Sequence, residues 1–227
     1  MAEARPPRLP ATSPRRGGRP SRERGERIRD EILDIATALI LGEGYGATSI
    51  EAVAKRARIS KRTFYHRFEN KAELFGAVVL RLIERMRPAN DTQLFEGGSF
   101  EEILERLALV IVHAALSPQL LALQRVIIAE ATRFPELAAV LNAQGTRQQA
   151  IDRIAELLER QARVELFALE NAKFAAEQFL QLVVSGPQRR ALGLGKPLSP
   201  EELDRWARDA VRLFLDGWRG RTPRAGA

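Results

Sequence analysis

The chain has 227 residues, of which 45% are apolar and 29% charged, enough for one large domain or a small one joined to a larger. It contains no cysteine, which excludes disulfides, thiolate metal sites and a cysteine nucleophile, and its two histidines, His66 and His113, are too few for a multi-histidine metal centre. The net charge is +7, and the whole excess lies in residues 1–71, with 16 basic and 9 acidic side chains; residues 72–227 carry 20 of each.

A basic N-terminal part joined to an electrically balanced remainder points to a module that meets a polyanion. The longest clean apolar stretch is about Leu107–Val112, far short of the roughly 18 residues a membrane span requires. The first twenty residues lack the apolar segment of a secretory leader. The expectation is a cytoplasmic protein with no membrane partner, no metal and no cofactor.

Residues 1–20 hold five prolines, five arginines and hardly any apolar side chain, and read as a disordered basic arm. Arg16-Gly-Gly-Arg19-Pro within it has the composition of an arm that enters a narrow minor groove. Beyond it, apolar residues recur at three and four, not two, so the fold is expected to be all-α. A first helix is predicted from about Ser21 to Glu43, with Ile28, Ile32, Ile35, Ala36, Leu39 and Ile40 on one face, stopped by Gly42 and Gly44. Thr48 or Ser49 caps a short helix carrying Ile50, Val53, Ala54 and Ala57; Ser60 caps a third with Phe64 and Phe68. Asn70 with Glu73 has the form of a capping box and opens a fourth helix, ended by Pro88.

Further on, Ser99 with Glu102 and Ser117-Pro118 start two helices, and Phe134-Pro135 breaks the second. Helices are predicted over 135–143, 144–161 and 171–185, and a last one opens at Ser199-Pro-Glu-Glu202. Nine or ten helices result.

Two short helices joined by a turn of about four residues match a helix-turn-helix. Val53, Ala54, Ala57, Ile59 and Phe64 would pack them onto the first helix. The side chains left outside include Lys55, Arg56, Arg58, Lys61, Arg62 and Arg67, with Thr63, Tyr65 and His66 among them. Cations neutralise phosphates, and directed donors read base edges in the major groove.

The run from Thr48 to Phe75, TSIEAVAKRARISKRTFYHRFENKAELF, with Gly44-Tyr45 before it, strongly resembles the DNA-binding domain of TetR/AcrR-type transcriptional regulators over about residues 25–80. Arg125–Leu137 and Phe179–Leu192 resemble the regulatory domain of the AefR-like subgroup. Position by position, the resemblance assigns base reading to Lys61, Arg62, Thr63 and His66, and phosphate contact to Thr48, Tyr65 and Lys71. The phenolic donor of Tyr65 and the place of Lys71 at a helix N-terminus agree with those roles. One position departs from the pattern: Arg58 stands where such turns usually carry glycine. Either the turn is distorted there or Arg58 adds a phosphate contact.

The resemblance further implies a helix-turn-helix domain over 21–70 and a helical regulatory and dimerisation domain over 71–227. The middle helices of the second would enclose a largely apolar small-molecule effector, and its last two would form a dimeric four-helix bundle. The last helix has a stripe of Leu203, Trp206, Ala207, Ala210, Phe214 and Trp218, and the helix before it is apolar on more than one face. Phe174, Phe179, Leu182, Val183, Trp206, Phe214 and Trp218 are therefore the candidate dimer contacts. Polar residues on apolar faces, His113, Gln124, Arg125, Glu130, Gln178 and Gln181, with the ring of Phe134, are the candidate pocket residues; Phe95 and Phe100 are further aromatic candidates. The functional expectation is a homodimeric repressor that binds a palindromic double-stranded operator and is released by its effector. A non-specific architectural DNA-binding protein is the alternative. An enzyme is not expected, because no motif arranges nucleophile, base and orienter.

Overall fold

A computed structural model of the chain describes residues 19–86, 94–143, 146–165 and 169–219. They form ten α-helices and, among the described residues, no strand. In chain order these are α1 (Arg19–Glu43), α2 (Ile50–Arg56), α3 (Lys61–Tyr65), α4 (Lys71–Met86), α5 (Phe100–Ala115), α6 (Pro118–Glu130), α7 (Glu136–Ala143), α8 (Thr146–Val164), α9 (Ala172–Ala191) and α10 (Pro200–Arg219). Residues 1–18 of the arm, including Arg16, and the stop at Pro88 lie outside the described residues; Arg19 and Pro20 already belong to α1. No single helix among the described residues is long and apolar enough to cross a membrane.

Local chemistry starts most helices where the caps stand. Ser49, not Thr48, caps α2 by accepting from Ala52 N–H, and Ser60 caps α3 by accepting from Thr63 N–H. Ser99 and Glu102 form a reciprocal capping box on α5, and Ser199 and Glu202 exchange the same two bonds at α10. At α4 the box is shifted. Asn70 accepts from Glu73 N–H, while the Glu73 carboxylate reaches back to Glu69 N–H.

Two apolar cores result, and they do not divide at residue 70. The first joins Ile32, Leu39, Tyr45, Phe64, Phe68, Phe75 and Val79 of the N-terminal helices to Leu123 and Val126 of α6 and Leu137 of α7. The second is built by α5, α8, α9 and α10 around Leu104, Leu158, Phe179, Val183 and Val211. Helices α4, α6 and α7 thus share their packing with the helix-turn-helix. Arg81 of α4 reinforces this by bridging Asp30 and Asp34 of α1.

Helix α9 does not end at Ser185 as predicted. It runs on to Ala191 with a buried Pro187 inside it. Proline has no N–H, so the carbonyl of Val183 loses its helical donor. The indole N–H of Trp206 in α10 replaces it, shared between the Leu182 and Val183 carbonyls at 3.1 Å each. Gly186 permits the approach: a Cβ there would lie 2.5 Å from the Trp206 ring.

Candidate nucleic-acid interface

The reading head is assembled from the inside outward. Val53, Ala57 and Phe64 are buried against α1 and fix the crossing of α2 and α3. The intervening turn forces Arg58 to φ +52°, the left-handed region in which a non-glycine residue costs about 1–2 kcal/mol. Its N–H reaches Lys55 O at 3.2 Å and Ile59 N–H reaches Ala54 O at 3.0 Å, so the turn keeps these hydrogen bonds with arginine in the left-handed position. Lys55, Arg56, Arg58, Lys61, Arg62, Tyr65 and His66 are all exposed.

Within that face the candidate residues are not equivalent. Arg62, Tyr65 and His66 border one shallow surface groove together with Thr63 and Arg67, and Tyr65 is 51% exposed. Thr63 has its hydroxyl 2.9 Å from that of Ser60, tied into the α3 cap. Lys61 is hydrogen-bonded to Glu51 of α2, which holds the lysine above its ordinary pKa and the carboxyl below. Glu51 is an acid inside the basic face whose role the sequence did not disclose.

Two assigned phosphate contacts are placed differently. Thr48 is 1% exposed, and its hydroxyl donates to Gly44 O at 2.8 Å, so it braces the turn before α2 and presents no hydroxyl to a phosphate. Lys71 is half-buried. Its ammonium lies 4.1 Å from the Tyr45 ring centre and 5.6 Å from that of Phe134, and burial lowers its pKa despite the nearby Glu130 and Glu136. An aromatic face attracts a cation, and here it draws Lys71 inward.

The candidate pocket residues are dispersed. His113 is exposed, with Nε2 2.9 Å from the Asp204 carboxylate on α10. Arg125 donates to Ala191 O at 3.0 Å, satisfying the end of α9. Phe134 packs edge-on to Tyr45 in the first core. Gln124 Oε1 is buried with no hydrogen-bond partner among the described residues. None of these four lines either of the two largely apolar hollows described next. An apolar cavity, open to the surface on one side, has a volume of about 230 Å³ and lies between α4, α5, α6 and α8, walled by Ile83, Met86, Phe95, Leu107, Ile111 and Leu120 among others, with Gln149 and Arg153 also lining it. These side chains read as ordinary core in the sequence; of the candidates, only Phe95 was picked out.

The candidate dimer contacts divide likewise. Phe179, Val183 and Trp218 are buried inside the chain, where apolar periodicity is satisfied by the second core. Trp206 is committed to α9. Phe174, 54% exposed, remains outside, together with Leu213, which is 62% exposed and was not among those candidates. With Gln178, Leu182 and Phe214 they border an open groove of about 460 Å³ between α9 and α10.

A basic two-helix head, capped at Ser49 and Ser60 and packed on α1, defines a helix-turn-helix transcriptional regulator. Residues 32–78 match the family described as bacterial regulatory proteins, tetR family, and residues 102–219 match the AefR-like transcriptional repressor C-terminal domain. The chain belongs to the TetR family of transcriptional regulators, and is not an enzyme. Among curated relatives, the transcriptional repressor ComR of Escherichia coli K12 is 30% identical over 82% of this chain and 88% of its own length. The regulator UidR of the same strain is 31% identical over 50% of this chain, a match spanning little more than half, 56%, of UidR. Among solved structures, a TetR-family regulator from Mesorhizobium loti superposes with a TM-score of 0.71 at 30% identity, covering 86% of this chain and 98% of the other. The flavonoid-responsive regulator FrrA gives 0.69 at 30% identity, covering 88% and 100%.

Proposed function

We propose that the protein is a homodimeric, sequence-specific repressor released from a two-fold operator by a small, largely apolar effector. The observation that carries the reading is the exposed face of α2 and α3, where Arg62, Tyr65 and His66 stand together amid five further cations. Arg62 and His66 read base edges, Tyr65 holds phosphate, and Lys61 joins them once it exchanges Glu51 for DNA. One such head offers few base contacts, so specificity requires two heads at a fixed spacing of about one helical turn or a multiple. The uncovered apolar groove bordered by Phe174, Leu182 and Leu213 supplies the surface for a second copy.

The 230 Å³ cavity beside α4 is the effector site in this reading. Its volume and apolar wall suit a compact molecule with few polar groups. FrrA, similar in structure, is described as flavonoid-responsive, and ComR as a repressor; both descriptions agree with the reading proposed here.

The test is selection of duplexes from a random pool by the full chain, followed by transcription from a promoter carrying the selected sequence. Two symmetric half-sites and lowered transcription are expected. Binding without sequence preference would instead favour the architectural alternative.

A further inference from the structure

Helix α6 connects the cavity to the reading head. Leu120 in its first turn forms part of the cavity wall. Glu130, its last residue, lies against the turn between α1 and α2. There the carboxylate accepts Tyr45 N–H through Oε1 at 2.8 Å and Gly46 N–H through Oε2 at 2.5 Å. A Cβ on Gly44 or Gly46 would lie only 2.5 or 2.9 Å from those same oxygens, and Gly44 has φ +93°. The turn is shaped to admit a carboxylate onto two backbone amides.

The surrounding contacts make this a joint. The Tyr45 hydroxyl donates to Glu136 at 3.2 Å, its ring meets Phe75 and Phe134 edge-on, and the Lys71 ammonium covers it. Between the cavity and the joint, Leu123 and Val126 lie in the head's own core. Gln124 Oε1, midway along α6, is a buried acceptor left unpaired among the described residues, which costs free energy. The two bonds from Tyr45 and Gly46 to Glu130 hold the end of the same helix against the turn.

We infer that Glu130 is a positioning residue that couples occupancy of the apolar cavity to placement of the reading head. The inference rests on the reading of that cavity as the effector site. An occupant that needs room beside Leu120 displaces α6, withdraws the carboxylate from the glycine turn and frees the segment that leads into α2.

The experiment uses the full chain and a duplex that it selects from random sequence. Ala114→Phe places a ring in the cavity wall in lieu of an effector, and Val110→Phe does the same from the same helix if the first variant melts early. Affinity is measured for each, for Glu130→Ala, for Glu130→Gln and for the double variant. Each of the filled-cavity and Glu130→Ala changes is expected to weaken specific binding by about tenfold, within the usual range of coupling between sites, and the double variant by no more. Glu130→Gln, which keeps one acceptor oxygen, loses less than Glu130→Ala. Amide exchange at Tyr45 and Gly46 rises in both single variants but not in Glu156→Ala, a control on the exposed side of α8. Losses that multiply in the double variant overturn the coupling and leave the effector site standing. Wild-type affinity in both filled-cavity variants overturns the effector site and the coupling with it. Unchanged amide exchange in Glu130→Ala removes the clamp itself.

Discussion

Lys61 and Glu51 are joined by an ammonium–carboxylate hydrogen bond that bridges α2 and α3 on the face proposed to meet DNA, with both side chains more than half exposed. A phosphate and Glu51 therefore compete for one cation. An exposed pair of this kind adds little to stability, because water screens the two charges. We expect Glu51→Ala to leave the melting temperature nearly unchanged and to tighten DNA binding severalfold on all sequences. Weaker binding by the variant, in a titration at fixed salt, would show that the pair orients Lys61 for its contact.

Arg62 and Tyr65 stand side by side on α3 but are expected to fail differently. Arg62→Ala should cost about 1–3 kcal/mol on the preferred duplex and relax preference at one base pair in each half-site. Tyr65→Phe should weaken binding alike on preferred and scrambled duplexes, because a phosphate contact carries no sequence information. Competition titrations on both duplexes separate the two; equal losses for Arg62→Ala on both remove it from base reading.

The close fit of Trp206 on Gly186 predicts intolerance of a single methyl group. Gly186→Ala would normally favour a helix by up to about 1 kcal/mol. Here the Cβ lands 2.5 Å from an indole that two hydrogen bonds hold in place. Overpacking of this kind costs about 1–3 kcal/mol, so the net change should be destabilising. Denaturant melts monitored by tryptophan fluorescence give the sign.

For assembly, the exposed residues are the informative ones. Leu213→Glu places a charge in the open α9–α10 groove without touching either core, and should yield a folded monomer that no longer binds a two-fold operator. Phe214→Glu would be ambiguous, since Phe214 packs edge-on to the buried Phe179 at 5.3 Å and its loss damages the fold as well. Sedimentation of the wild type and Leu213→Glu at micromolar concentration, with matched melting curves, decides the matter. A wild-type monomer that still binds a two-fold site tightly would defeat the dimer reading.

The ends of helices were legible in the sequence because capping is local: Ser60, Ser99 and Ser199 announce themselves within four residues of the N–H groups they satisfy. The reading head was legible for the same reason, since its packing residues and outward cations lie within one short stretch. The pocket was not. His113 answers to Asp204 and Arg125 to Ala191, partners distant in sequence, so a polar residue on an apolar face said nothing about whether it met solvent, a carbonyl or a cavity. The dimer contacts were half legible. Periodicity shows that Phe179 and Val183 are buried, but not whether by their own chain or by a second one. The helix predicted to stop at residue 185 runs on through Pro187, because the indole that replaces the missing donor comes from another helix.

That replacement ties the evolutionary fates of positions 187 and 206 together. A residue with an N–H at 187 would restore the backbone ladder and relieve Trp206 of its polar duty, after which a phenyl ring could stand at 206 at little loss. While Pro187 remains, losing the indole nitrogen orphans the carbonyl of Val183 inside a core. Among descendants of this sequence the first change therefore has to occur at 187, and the order in which the two substitutions accumulate is constrained even though neither residue touches the DNA-reading helices.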